Sequence, residues 1–253
     1  MREKRVIPCL DIKDGLVVKG KRFQNLKPLG DPVKLAVKYM NEGADELVFL
    51  DISASWEKGK TNENWIKEVA DKLSIPFIVG GGVDSAERAS SIAALGASKI
   101  SINTKALEDP KVIKKCALLL GKRAVVLAID AKATKKGKWE VYAKGGTLPT
   151  GKDVIEWAKE GCSLGAGEIL LTSIDRDGTD SGYDTKLIEA VREAVDAPLI
   201  ASGGAGSLTH FIEALKAGAD AVLAASVFHF GVYSIAQVKK ALEKEGFPVR
   251  KTW

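Results

Sequence analysis

One segment of this 253-residue chain is written twice. FIVGGGVDSAERASSIAALGASKISINT (77–104) and LIASGGAGSLTHFIEALKAGADAVLAAS (199–226) align so that Gly82 falls on Gly204, Gly96 on Gly218 and Thr104 on Ser226, each pair 122 residues apart. The same offset places GADELVFLD (43–51) on GAGEILLTS (165–173), with Glu46 on Glu168. At an offset of 119, KRVIPCLD (4–11) lies on RAVVLAID (123–130), and Asp11 falls on Asp130. A solenoid needs more than two copies. The chain therefore reads as one doubled domain, 1–253, with halves of roughly 1–122 and 123–253.

Short apolar runs rich in Val and Ile mark eight strands: 5–11, 46–51, 76–80, 99–103, 124–130, 168–173, 198–202 and 221–226. They lack strict alternation, as strands of a parallel sheet covered on both faces do. Helical spacing fills the intervals. In DPVKLAVKYMNEG (31–43), Asp31 suits the cap, Pro32 the first turn and Gly43 the exit, and 84–96 and 207–218 repeat that form. Eight such units predict a (β/α)8 TIM barrel with an internal two-fold half-barrel repeat. No GxGxxG turn follows the first strand, which argues against a dinucleotide fold.

Composition narrows the functional class. With 45% apolar and 28% charged residues the chain is of ordinary globular type, and no apolar run reaches the length of a membrane span. The charged start MREKRVIPCLDIKDG does not read as a signal peptide, so a cytoplasmic protein is expected. The net charge of +5 is spread over interleaved lysines and glutamates, a pattern that speaks against nucleic acid but not against small anions. Cys9, Cys116 and Cys162 have no CxxC spacing and read as free thiols. His210, in a helical pattern, and His229, after the last strand, join no ligand cluster, so neither a metal nor another cofactor is expected.

In a parallel barrel the strand C-termini form the active face. GGG (80–82) and SGG (202–204) there expose backbone N–H groups, and Asn103, Thr104, Ala225 and Ser226 add N–H and side-chain donors one strand later. Such nests hold phosphate. Two of them, across one mouth, imply a long substrate with a phosphate at each end. Asp11 and Asp130, at matching strand ends, suit general acid and base roles, which of the two being open. DIKDGLVVKGKRF (11–23) reads as a hairpin-like extension leading into a polar lid, KRFQNLKPLG (21–30), with Lys19 at its base. In SIDRDGTDSGYD (173–184), Asp177 and Gly178 either join the second phosphate site or make a local Asx turn.

Together, IPCLDIKDGLVVKG, ELVFLDISAS, VGGGV, KISINT, AIDAK, LLTSIDRDGTDSGYD, IASGGAG and AASVFHF closely resemble the cyclase subunit of imidazole glycerol phosphate synthase, over essentially the whole chain. The resemblance implies a lyase of histidine biosynthesis. In that family ammonia attacks a bis-phosphorylated aminoimidazole carboxamide ribulotide (PRFAR), and cleavage with ring closure yields imidazole glycerol phosphate and AICAR. It further implies Asp11 and Asp130 as acid and base, and Lys19 on the mobile loop as a substrate contact. Gly82, Asn103 and Thr104 become one phosphate site, and Asp177, Gly178, Gly204, Ala225 and Ser226 the other.

By the same resemblance a glutaminase docks on the N-terminal face as the other half of a heterodimer, and ammonia passes a gate of Arg5, Glu46, Lys99 and Glu168; a salt-bridge plug would use the same four residues. One position departs: Ser98 stands where the family usually has an acidic residue that contacts the partner, which bears on docking rather than on phosphate chemistry. The rival enzyme is the sister ProFAR isomerase, a doubled barrel with two aspartates. The rival outside catalysis is a silent barrel scaffold. CLDIKDG and Lys19 favour the cyclase.

Overall fold

A computed structural model describes residues 3–21, 24–52, 64–135 and 137–251. The tip of the expected lid at 22–23 and the end of ELVFLDISAS at 53–56 lie outside the described residues. The barrel strands are β1 (Arg5–Lys13), β4 (Leu47–Asp51), β5 (Phe77–Gly80), β6 (Lys99–Ile102), β7 (Val125–Ala133), β10 (Glu168–Ser173), β11 (Leu199–Ser202) and β12 (Ala221–Ala224). Each pairs in parallel with the next, and β12 closes on β1 through Arg5↔Ala221 to Pro8↔Ala224.

Both faces of these strands are buried, which accounts for their near-continuous apolar runs. One face fills the lumen with Ile7, Val48, Ile78, Val126, Leu170 and Ile200. The other, with Phe49 and Phe77, packs under the helices in one core with their Trp65, Trp157 and Phe211. The outer helices are α1 (Pro32–Asn41), α2 (Asn64–Ala70), α3 (Ala86–Ala94), α5 (Lys111–Leu120), α6 (Val154–Leu164), α7 (Thr185–Ala194), α8 (Leu208–Lys216) and α10 (Ile235–Lys244); short turns α4 (Thr104–Glu108) and α9 (Ser226–His229) follow β6 and β12.

The repeat governs local detail as well. Asp31 caps α1 by accepting from Lys34 N–H at 2.9 Å, and Asp153, 122 residues on, caps α6 by accepting from Ile155 and Glu156 N–H at 2.8 and 3.2 Å. Gly81 and Gly203, at φ 93° and 92°, make the matching βα turns. A side chain on either would run into a carbonyl oxygen, that of Asp51 or that of its repeat counterpart Ser173.

Two antiparallel hairpins stand on the C-terminal rim. β2 (Leu16–Lys21) and β3 (Gln24–Gly30) extend β1, and β8 (Trp139–Ala143) and β9 (Leu148–Asp153) extend β7. The expected polar lid of 21–30 is thus mostly strand, because β2 supplies a ladder and a rim ribbon does not need an apolar face. The second hairpin is an element that the apolar-run reading did not identify.

Candidate active site

Asp11 lies near the C-terminal end of β1 and is 5% exposed. After it the chain reverses through Asp14 and Gly15, both at positive φ, in the two-residue turn that an Asp-Gly pair favours. The reversal pairs Asp11 with Val18 and brings Lys19 Nζ to 3.2 Å from Asp11 Oδ2. Burial alone would lower the Lys19 ammonium, but the Asp11 charge and hydrogen bond outweigh it and hold Lys19 above its ordinary value. The pair is therefore a lysine cation on an aspartate.

Asp130 stands on β7, four strands round the ring from β1 and so across the mouth. Its Oδ2 accepts from Asn103 Nδ2 at 2.9 Å. Burial pushes this carboxyl up to about 6; the Asn103 hydrogen bond pulls it down and the charge of Asp177 adds to the rise. The matching positions on the two sides thus hold carboxyl groups with different company.

Between them opens a cavity of about 300 Å³. Asp11, Lys19 and Asp130 form part of its wall, with Cys9, Leu50 and Leu170 lining it alongside. Asp177 and Gly178 after β10, Gly203 and Gly204 after β11, and Ala225 and Ser226 after β12 complete one side. Gly82, Asn103 and Thr104 do not line it. Asn103 is turned to Asp130, and Thr104 Oγ1 accepts from Lys144 N–H at 3.0 Å at the tip of the β8–β9 hairpin. That tip, Gly145 to Thr147, forms part of the cavity wall. Asn103 (φ −125°, ψ −94°) and Ala225 (φ −122°, ψ −69°) share an unusual backbone, so the two nests are alike in shape while only the second opens into the cavity.

A family model described as histidine biosynthesis protein matches residues 5–234. The chain belongs to that family. Among similar proteins, the imidazole glycerol phosphate synthase subunit HisF of Pyrococcus furiosus is 52% identical over 250 residues, covering 99% of each chain. Its namesake in Exiguobacterium sibiricum is also 52% identical, over 99% of this chain and all of its own, and that of Thermococcus onnurineus is 51% identical over 99% of each.

At the opposite end of this histidine biosynthesis barrel the four predicted floor residues meet. Arg5 bridges Glu46 and Glu168, and Lys99 Nζ bridges the same two at 2.8 and 2.6 Å. The result is a closed ring of alternating charge, its two glutamates 122 residues apart. Asp45, beside Glu46, is pinned by fully buried Lys239 at 2.6 Å and by Arg250 at 3.1 Å, and accepts from Val6 N–H at 2.8 Å, which ties the ring's strands to the C-terminal segment. Ser98 is exposed on this floor and accepts from Phe77 N–H at 3.3 Å.

His229 Nδ1 lies 2.6 Å from Tyr39 Oη, and burial, with Lys19 nearby, lowers it to about 4. It is a neutral structural group at physiological pH. Burial pushes the Cys9 thiol well up, with the Asp11 charge adding to the rise. Among the described residues no group of three or more His, Cys, Asp or Glu is arranged to hold a metal ion, and no helix is long and apolar enough to cross a membrane. Thr172 and the β8–β9 tip are cavity residues that the sequence reading missed. Their signal was available: Thr172 sits at a strand C-terminus, and Gly145-Gly146 is a turn pair between two short runs.

Proposed function

We propose that this chain is the cyclase subunit of imidazole glycerol phosphate synthase, a cytoplasmic lyase converting PRFAR and ammonia to imidazole glycerol phosphate and AICAR. The observation that carries the reading is a pair of carboxyl groups on opposite strands of one cavity whose rim holds a glycine and hydroxyl nest, in a chain about 52% identical over its length to subunits of that name. One phosphate sits at Gly204, Ala225 and Ser226 beside Asp177 and Gly178, loops after the last strands being a usual phosphate site of such barrels. The other sits at Gly82, Asn103 and Thr104, where Thr104 can still donate its hydroxyl proton while accepting from Lys144.

A substrate pinned at both ends keeps its reacting centre between the aspartates. The ammonia adduct must lose a proton and the departing nitrogen must gain one. One of the pair, Asp11 beside Lys19 or Asp130 with its carboxyl raised by burial to about 6, takes the first, and the other gives the second. Lys19, which rests on Asp11, can turn from it to the substrate. Ammonia enters from a glutaminase docked on the floor, through the ring of Arg5, Glu46, Lys99 and Glu168, and one cation must swing aside to open it.

Asp11→Asn tests the assignment. Turnover should fall by about 10³ or more, with substrate binding nearly unchanged. Turnover surviving within about tenfold would show that Asp11 does not carry the proton.

A further inference from the structure

His210 is the third residue of α8 and faces back to the turn that carries Gly203 and Gly204. Its Nδ1 accepts two backbone hydrogen bonds, from Gly206 N–H at 3.1 Å and Ser207 N–H at 3.2 Å. A ring nitrogen that accepts twice carries no proton, so the ring is the neutral Nε2–H tautomer. A second loop rests on the same ring. Gly182 is positioned so that an added Cβ would lie 3.3 Å from His210 Cδ2, and Gly182 N–H donates to Gly204 O at 2.8 Å. The loops that follow β10 and β11 thus meet on one imidazole.

The other half lacks this device. Arg88 occupies the position 122 residues earlier, and an arginine has no acceptor to offer; there Ser85 Oγ accepts from Arg88 N–H at 3.1 Å as an ordinary cap. Elsewhere in the chain an amide does what His210 does: Gln237, third residue of α10, accepts from Ser234 N–H through Oε1 at 2.8 Å.

We infer that His210 is a positioning residue for the phosphate site of the second half: it fixes the 203–207 turn against the 177–184 loop, so that Gly204 and Gly178 hold their places in the cavity wall. The inference rests on the reading of Gly204, Ala225 and Ser226 as a phosphate site. His210 need not touch the substrate. Its contribution is the acceptor that keeps two backbone donors from turning away, and a side chain with an oxygen at the same reach replaces it.

The test is a titration of the full chain with inorganic phosphate, followed by backbone amide shifts of Gly204 and Ser226 in one site and Gly82 and Thr104 in the other. His210→Ala should weaken binding at Gly204–Ser226 about tenfold and leave Gly82–Thr104 within about twofold. His210→Gln should restore the first site to within about threefold, and in turnover His210→Ala should raise KM with kcat nearly constant. Equal weakening of both sites would mean a general loosening of the fold, and failure of Gln to restore would mean that the acceptor is not what matters; either result overturns the inference. Phosphate bound at Gly204–Ser226 but indifferent to His210→Ala overturns it alone. No phosphate shift at either site in the unaltered protein overturns the site reading and this inference together.

Discussion

Asp11 and Asp130 occupy matching places on opposite strands, yet Asp11 shares its carboxyl group with a lysine from its own hairpin and Asp130 with an asparagine just past the end of the neighbouring strand. The two nests differ in the same way. Ala225 and Ser226 open into the cavity, whereas Thr104 accepts from Lys144 at the tip of the β8–β9 hairpin. A doubled backbone fixes where donors and carboxyl groups stand, and the residues that differ between the halves decide the company each keeps. On the proposed function, two similar phosphates would be gripped by unlike sites, and two like carboxyl groups would carry opposite proton tasks.

The largest expected effect tests whether unlike surroundings still mean equal necessity. Asp130→Asn should cost about 10³ or more in turnover, as much as Asp11→Asn, although only Asp11 has an ion pair. A loss of tenfold or less would reduce Asp130 to a bystander. At the floor the comparison reverses, because Glu46 and Glu168 share both cations. Glu46→Gln and Glu168→Gln should each destabilise by about 3 kcal/mol in denaturant titrations, and clearly unequal costs would show that the ring is not balanced.

Smaller effects separate the two nests. Thr104→Ala and Ser226→Ala should each weaken phosphate at their own site about tenfold, but only Thr104→Ala should speed amide exchange at residues 144–147. Unchanged exchange would mean that the hairpin is not latched by Thr104. Smallest is the titration of Asp130. Removing its hydrogen bond with Asn103→Ala should move that carboxyl above about 6, and Asp177→Asn should move it down, both read by carboxyl carbon NMR. The native Asp130 keeps its proton up to about 6, above the ordinary carboxylate value, so its contribution is present at lower pH and is lost as pH rises through about 6; Asp130→Asn should flatten that interval.

Much of this arrangement was legible in the chain. The apolar runs mark all eight barrel strands to within a few residues, because burial on both faces leaves little else they could be, and the repeat located Asp11 with Asp130 and Gly82 with Gly204. The β8–β9 hairpin was not legible from apolar runs, since LPTGKD has no apolar run and no buried residue and gains its strand conformation from pairing with WEVYA. Nor do residue types tell that Asn103 turns to Asp130 or that Lys144 meets Thr104. Those contacts join residues 27 and 40 apart, and only the closed barrel brings them together.

The most direct test of the whole account is the loss of PRFAR absorbance with the purified chain and an ammonium salt at alkaline pH, with no glutaminase present. Turnover to imidazole glycerol phosphate and AICAR is the predicted result, because Asp11, Asp130 and both proposed phosphate nests belong to this one chain. Bound PRFAR that is never turned over, or turnover of the isomerase's precursor alone, would contradict it.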